Sequence, residues 1–124
     1  MGKLDQAMEL LKEEEALCRE TGNEEDLQAC LGNQALIHQS QGAIEKALEL
    51  YREKEAICRA CGSIDGLIIA LTNQATLLVE DRNKYNEVEA LAEEAFKLAN
   101  DHGLDPLAGQ IKPLLEFVKS KTRR

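Results

Sequence analysis

Apolar and polar positions follow a helical period through most of this chain. Within Leu67–Leu78, the apolar set Leu67, Ala70, Leu71, Ala75 and Leu78 falls at i, i+3, i+4, i+8 and i+11, one face of a helix. Ile44, Ala47, Leu48, Tyr51 and Cys58 trace such a face in the preceding segment, and Val88, Leu91, Ala95, Leu98 and Ala99 a less regular one further on. No run shows the two-residue alternation of β-branched residues that marks a strand. Helices are therefore expected over roughly 3–21, 24–41, 43–61, 64–81, 85–102 and 106–121.

The breaks between these segments carry their own signals. Gly22, Gly62 and Gly103 close one kind of junction and Gly42 the other, because glycine just past a helix end adopts the left-handed conformation at low cost. Asn83 stands where Gly42 stood and is expected to substitute in that geometry. Asn23 and Ser63 are expected N-caps, the first followed by the acidic turn Glu24, Glu25 and Asp26. Asp105 is expected to cap a last helix with Pro106 at its first position. Pro113 removes a backbone donor inside it, so a kink or two short pieces is expected.

The pattern also repeats. The stretch "LGNQALIHQSQG" (31–42) returns as "LTNQATLLVEDRN" (71–83), with Asn-Gln-Ala at 33–35 and 73–75. Aligned without a gap, 2–41 and 42–81 are identical at fifteen of forty positions. Self-similarity at such a period marks a solenoid, in which each helix pair buries its apolar face on the next. The expected fold is all-α, a solenoid of antiparallel helix pairs with about six helices in a single domain spanning 1–124.

Leu31, Ala35, Gly42, Ala47 and Tyr51 in one copy, and Leu71, Ala75 and Asn83 in the next, resemble the tetratricopeptide repeat family. The "NQA" block is similar to the "N-N-L-A" element of its long-repeat kinesin-light-chain and nephrocystin-like branch. Gln34 and Gln74 depart from this pattern where that branch has Leu, and His38 and Leu78 where an aromatic is common. The resemblance implies a right-handed solenoid. In it, 1–21 would be the second helix of a truncated repeat, 22–61 and 62–103 repeats, and 104–124 a capping helix. It further implies that the first helix of each pair lines a concave groove for a peptide or helix of a partner protein. The implied groove positions are Ala29, Gly32, Asn33, Leu36, Gln39 and Ser40, then Ile69, Thr72, Asn73, Thr76, Val79 and Glu80. Of these, Asn33, Leu36, Gln39, Ser40, Ile69, Thr72, Asn73 and Thr76 are the candidate binding residues.

This set holds a single charge, that of Glu80, and no Lys or Arg, so it suits peptide backbone and small apolar side chains rather than a carboxylate clamp. An Asn amide both donates and accepts, so Asn33 and Asn73 can each pair a peptide C=O and N–H, or else bond within the scaffold. For Gln34 and Gln74, in buried-looking positions, scaffold bonding is the expectation.

Composition narrows the rest. With a net charge of −8 the 124-residue chain lacks the basic footprint of a nucleic-acid surface, and with two Tyr, two Phe and no Trp its core must be built from Leu, Ile and Ala. The charge is uneven: 112–124 carries +4 and the remainder −12. Lys112, Lys119, Lys121, Arg123 and Arg124 either complement the dipole of a last helix or touch an acidic partner or anionic membrane; the first is preferred. No apolar run is long enough to span a bilayer and no signal-peptide pattern is present, so no membrane role and a cytoplasmic location are expected.

Of four cysteines, Cys18, Cys30 and Cys58 sit at apolar helical positions, as thiols do in a reducing compartment. "CRACG" (58–62) contains a C-x-x-C, but at a helix end, where the dipole opposes a thiolate. A zinc site would have only His38 and His102 to add. No Ser-His-Asp arrangement, phosphate loop or H-E-x-x-H appears, and Glu13–Glu15 and Glu93–Glu94 read as solvated faces. No enzyme activity, cofactor or metal is expected. The alternative to a groove-binding adaptor is an oligomerisation or array-terminating module, a homodimer formed through Leu4, Met8 and Leu11 of the first helix.

Overall fold

The computed structural model describes residues 2–123; Arg124 of the basic tail lies outside them. Six α-helices follow one another: α1 (Lys3–Thr21), α2 (Glu24–Ser40), α3 (Ile44–Cys61), α4 (Ile64–Leu78), α5 (Tyr85–Asp101) and α6 (Asp105–Thr122). A 3-10 turn, Arg82–Lys84, precedes α5, and no strand occurs among the described residues. The fold is all-α, with helices packed on their sequence neighbours, consistent with a helical repeat. The chain forms two compact units that divide within α4, Met1–Gly66 and Leu67–Arg124.

In the first unit α2 packs between α1 and α3. Cys18, Leu27 and Leu31 form an apolar cluster with Leu50 and Ile57 against it. Ala35 and Ala47 are fully buried, and such small side chains let helices approach closely. Tyr51 is the largest side chain fully buried; its hydroxyl donates to Gln39 Oε1 at 3.2 Å.

The repeated junctions are built alike. Gly22 and Gly62 take positive φ, 71° and 78°, and turn the chain so that the N–H groups of Asn23 and Ser63 reach the carbonyls of Cys18 and Cys58 at 2.9 and 3.0 Å. Asn23 Oδ1 then accepts from Asp26 N–H at 3.1 Å, and Ser63 Oγ from Gly66 N–H at 3.3 Å. Both expected caps are present.

In the second unit α6 packs on α5. The buried stripes are Val88, Ala92, Ala95 and Ala99 on α5 and Ala108, Ile111, Leu115 and Val118 on α6, each at helical spacing. α4 contributes Leu67, Ile68, Ala70, Leu71, Ala75 and Leu78 as buried residues. Lys119 pairs with Glu93 at 3.0 Å and Thr122 Oγ1 donates to Glu89 at 2.8 Å, fastening the end of α6 to α5.

Four local expectations are corrected. α4 stops at Leu78 rather than 81, and the Asp81 carboxylate accepts the N–H of Asn83 at 2.9 Å to close a tight turn. Asn83 therefore lies in the 3-10 turn and does not replace Gly42 in left-handed geometry; only glycines have positive φ among the described residues. Asp105 is the first helical residue and not the cap; Leu104 holds that place without a side-chain bond. Finally, α6 runs unbroken through Pro113. The carbonyl that loses its donor belongs to Gly109, and both residues are exposed, so water can satisfy it.

Two glycines separate packing from backbone entropy. A Cβ on Gly66 would lie 2.6 Å from Cys58 Sγ, 2.7 Å from Gln28 Oε1 and 2.8 Å from Ser63 Oγ, whereas one on Gly109 would meet nothing within 4 Å. Gly66→Ala is expected to destabilise by about 1–3 kcal/mol, and Gly109→Ala to stabilise by about 0.5–1 kcal/mol. Urea unfolding of the two variants measures both.

Candidate functional site

α2 sorts its side chains sharply by direction. Leu27, Gln28, Cys30, Leu31, Gly32, Gln34 and Ala35 are buried. Ala29, Asn33, Leu36 and Ser40 are exposed, and their spacing of four, three and four residues makes one outward stripe. Leu36 is 52% exposed in the middle of it. The Ser40 hydroxyl donates to the Ile37 carbonyl of its own helix at 2.7 Å, leaving its lone pairs as acceptors.

The neighbouring residues Asn33 and Gln34 do opposite things. Gln34 is 3% exposed and its amide donates to Glu15 Oε1 at 2.9 Å and to Cys30 Sγ at 3.6 Å. Glu15 also receives Arg19 Nε at 2.9 Å, and the same guanidinium reaches Glu53 at 2.6 Å. One polar chain thus joins α2 to α1 and α1 to α3. The Gln34 amide, opposed by burial and aided by Arg19, holds the Glu15 carboxyl below its usual range. Asn33, exposed, has no such engagement among the described residues.

Gly32, implied as a groove position, is not open. It is buried under Lys54 of α3, whose Nζ lies 2.8 Å from where a glycine Cβ would be. The absence of a side chain at 32 gives the lysine stem its seat. Lys54 is 6% exposed, and burial pushes its amine below the usual value. No hydrogen bond or carboxylate partner meets this ammonium among the described residues. A buried lysine thus backs α2 at Gly32. Sequence reasoning missed it because Lys54 belongs to the second helix of the pair; the glycine opposite was the available signal.

Within the second unit, α4 presents its candidates in the same pattern. Ile69 is 40% exposed and Thr76 exposed, while Thr72 and Asn73 are half-buried. Thr72 and Thr76 donate to the carbonyls of Ile68 and Thr72 at 2.7 and 2.9 Å, so their hydroxyls too face outward as acceptors. Asn73 has no partner among the described residues, whereas Gln74 is buried. Val79 and Glu80 fall in the turn past the end of α4 and not on its face.

The other candidate chemistries have different surroundings. The buried Cys58 thiol donates to Gln28 Oε1 at 3.4 Å, and burial raises its pKa, which suits packing rather than reactivity. Burial and the nearby Lys46 and Lys12 lower the pKa of His38. On α1, Leu4 is exposed as expected, Met8 and Leu11 are half-buried, and Leu10 and Leu17, at 66% and 60%, are barer still. No family model matches the chain, and no curated protein matches it either.

The Glu15 carboxyl generates a pH signature. A carboxyl held low in the fold gives up its stabilisation as pH falls through its folded value and keeps it above the ordinary range. Glu15→Gln is expected to cost about 1–2 kcal/mol at pH 7 and less at acid pH, as the wild type loses the same contribution on passing through the carboxyl's lowered folded value. Equal deficits at neutral and acid pH in urea unfolding would contradict this.

Proposed function

We propose that this chain is a non-enzymatic protein-interaction module, a tetratricopeptide-like adaptor that holds a peptide or helix of a partner protein on the outward face of α2, with a like face on α4 in the second unit. The observation that carries the reading is the split within the repeated Asn-Gln pair. In both copies the glutamine is turned into the scaffold, and the asparagine is left with a free amide beside exposed apolar neighbours. A side chain with two donors and two acceptor sites matches the alternating N–H and C=O of a peptide backbone. Leu36 and Ile69 supply apolar contact next to it.

The same reading places the module in the cytoplasm, since three buried free thiols suit a reducing compartment. No helix among the described residues is long and apolar enough to cross a membrane. The absence of a basic footprint disfavours nucleic acid as partner.

A second reading, oligomerisation through α1, is favoured by one observation: Leu10 and Leu17 lie one heptad apart on its outer face and flank an open cleft of about 570 Å³. The contact would then centre on the exposed Leu10 and Leu17 rather than on the half-buried Met8 and Leu11.

The two readings predict different sensitivities. Affinity capture from source lysate with the wild type should yield a partner whose recovery falls about tenfold with Asn33→Ala/Asn73→Ala, a loss of roughly 1.4 kcal/mol. Leu10→Glu/Leu17→Glu should leave that recovery unchanged. The reverse pattern, with a mass in light scattering that rises with concentration, would replace the adaptor with the oligomer.

A further inference from the structure

The second unit holds a cleft that the adaptor reading does not use. It measures about 520 Å³ and is lined by Arg82, Tyr85, Phe117 and Lys121. A recess of about 210 Å³ sharing Arg82, Tyr85 and Lys121 adds the amides of Asn83 and Asn86. Four aromatic residues exist in the chain, and two meet here edge to face, with centroids 6.0 Å apart and rings at 86°. Phe117 nevertheless remains 44% exposed. Its ring is held at the cleft wall rather than sunk into the core.

This chain has 23 acidic residues against 15 lysines and arginines, and some of its cations, such as Arg19, Arg59, Lys97 and Lys119, have carboxylate partners. Arg82 and Lys121 have none among the described residues; Lys121 lies 5.5 Å from the Phe117 centroid, over the ring. Asp81 accepts the Asn83 N–H, which fixes the turn bearing Arg82, and Glu89 accepts from Thr122, which fixes the end of α6 bearing Lys121. Both cations of the cleft are thus carried on segments held by hydrogen bonds.

We propose that this cleft binds an aryl phosphate, with the aromatic ring against Phe117 and Tyr85 and the phosphate between Arg82 and Lys121. A phosphate monoester, near −2 at neutral pH with three acceptor oxygens, can satisfy a guanidinium and an ammonium together, which a carboxylate with one charge and two oxygens does less completely. The Asn83 and Asn86 amides stand beside it as neutral donors. The ring explains the exposed Phe117, and the charge explains the unpaired cations; neither alone accounts for both.

Titration of the full chain with phenyl phosphate, followed by NMR of the Tyr85 and Phe117 ring signals, tests this. Phenyl phosphate should bind about tenfold more tightly than inorganic phosphate or phenol, the fragments that lack one half of the recognition. Arg82→Gln and Lys121→Gln should each weaken it by about tenfold, and Phe117→Ala should remove its advantage over inorganic phosphate. A parallel arm with N-acetyl-phosphotyrosine amide separates the sources: tighter binding than phenyl phosphate assigns the cleft to a phosphotyrosine side chain, weaker binding to a free aryl phosphate. No saturable shift, equal affinity for inorganic phosphate, or affinity indifferent to both cation variants would overturn the proposal. The Asn33 and Asn73 variants test a different surface, so either conclusion can fail without the other.

Discussion

The hydrogen bond from Gln34 to Glu15 is the contact on which the first unit most depends. It sits where three helices meet, it joins a buried amide to a half-buried carboxylate, and that carboxylate also holds Arg19, which in turn reaches Glu53. Hydrogen bonds to charged groups are stronger than neutral ones, and leaving either partner buried and alone costs more than the bond itself contributes. The bond also has a directional consequence. With Gln34 pointed at α1, helical geometry turns Asn33 about 100° away, toward solvent. The outward stripe of α2 is thus set by an inward commitment one residue along.

Glycine makes a second commitment of this kind. Gly32 lets the Lys54 stem lie on α2, and Gly66 lets Cys58, Gln28 and Ser63 converge. Both are places where the two copies of the repeat differ, with Thr72 opposite Gly32 and Asp26 opposite Gly66. The repeat therefore specifies the common frame, and its exceptions specify the local surface. Lys54 is the clearest case, since it replaces the glutamate found one period earlier at Glu14 and puts a cation where that position otherwise carries an acid.

Much of the frame was legible in the residues. Helical periodicity, the Gly22 and Gly62 junctions and the Asn23 and Ser63 caps all depend on local chemistry, which a sequence displays directly. The turn after Leu78 was misread because position in the repeat was trusted over chemistry: Asp81 can cap its own turn, and Asn83 then has no need of positive φ. Pro113 was expected to kink its helix or divide it in two; α6 is not divided, and the exposed Gly109 carbonyl can bond to water. The Arg82, Tyr85, Phe117 and Lys121 cleft was invisible, because it joins residues 35 positions apart outside the repeated part. The bare stripe of α1 was misplaced by a fraction of a turn, enough to exchange Leu11 for Leu10.

The division of labour between neighbouring amides is the central claim, and paired unfolding measurements test it most directly. Gln34→Ala and Asn33→Ala remove similar atoms one residue apart on one helix, so propensity and denatured-state effects largely cancel. A loss of about 1–3 kcal/mol for Gln34→Ala, against less than about 0.5 kcal/mol for Asn33→Ala, is the predicted result. Equal losses, or a larger loss for Asn33→Ala, would mean that Asn33 belongs to the scaffold, and the outward face of α2 would lose its polar grip.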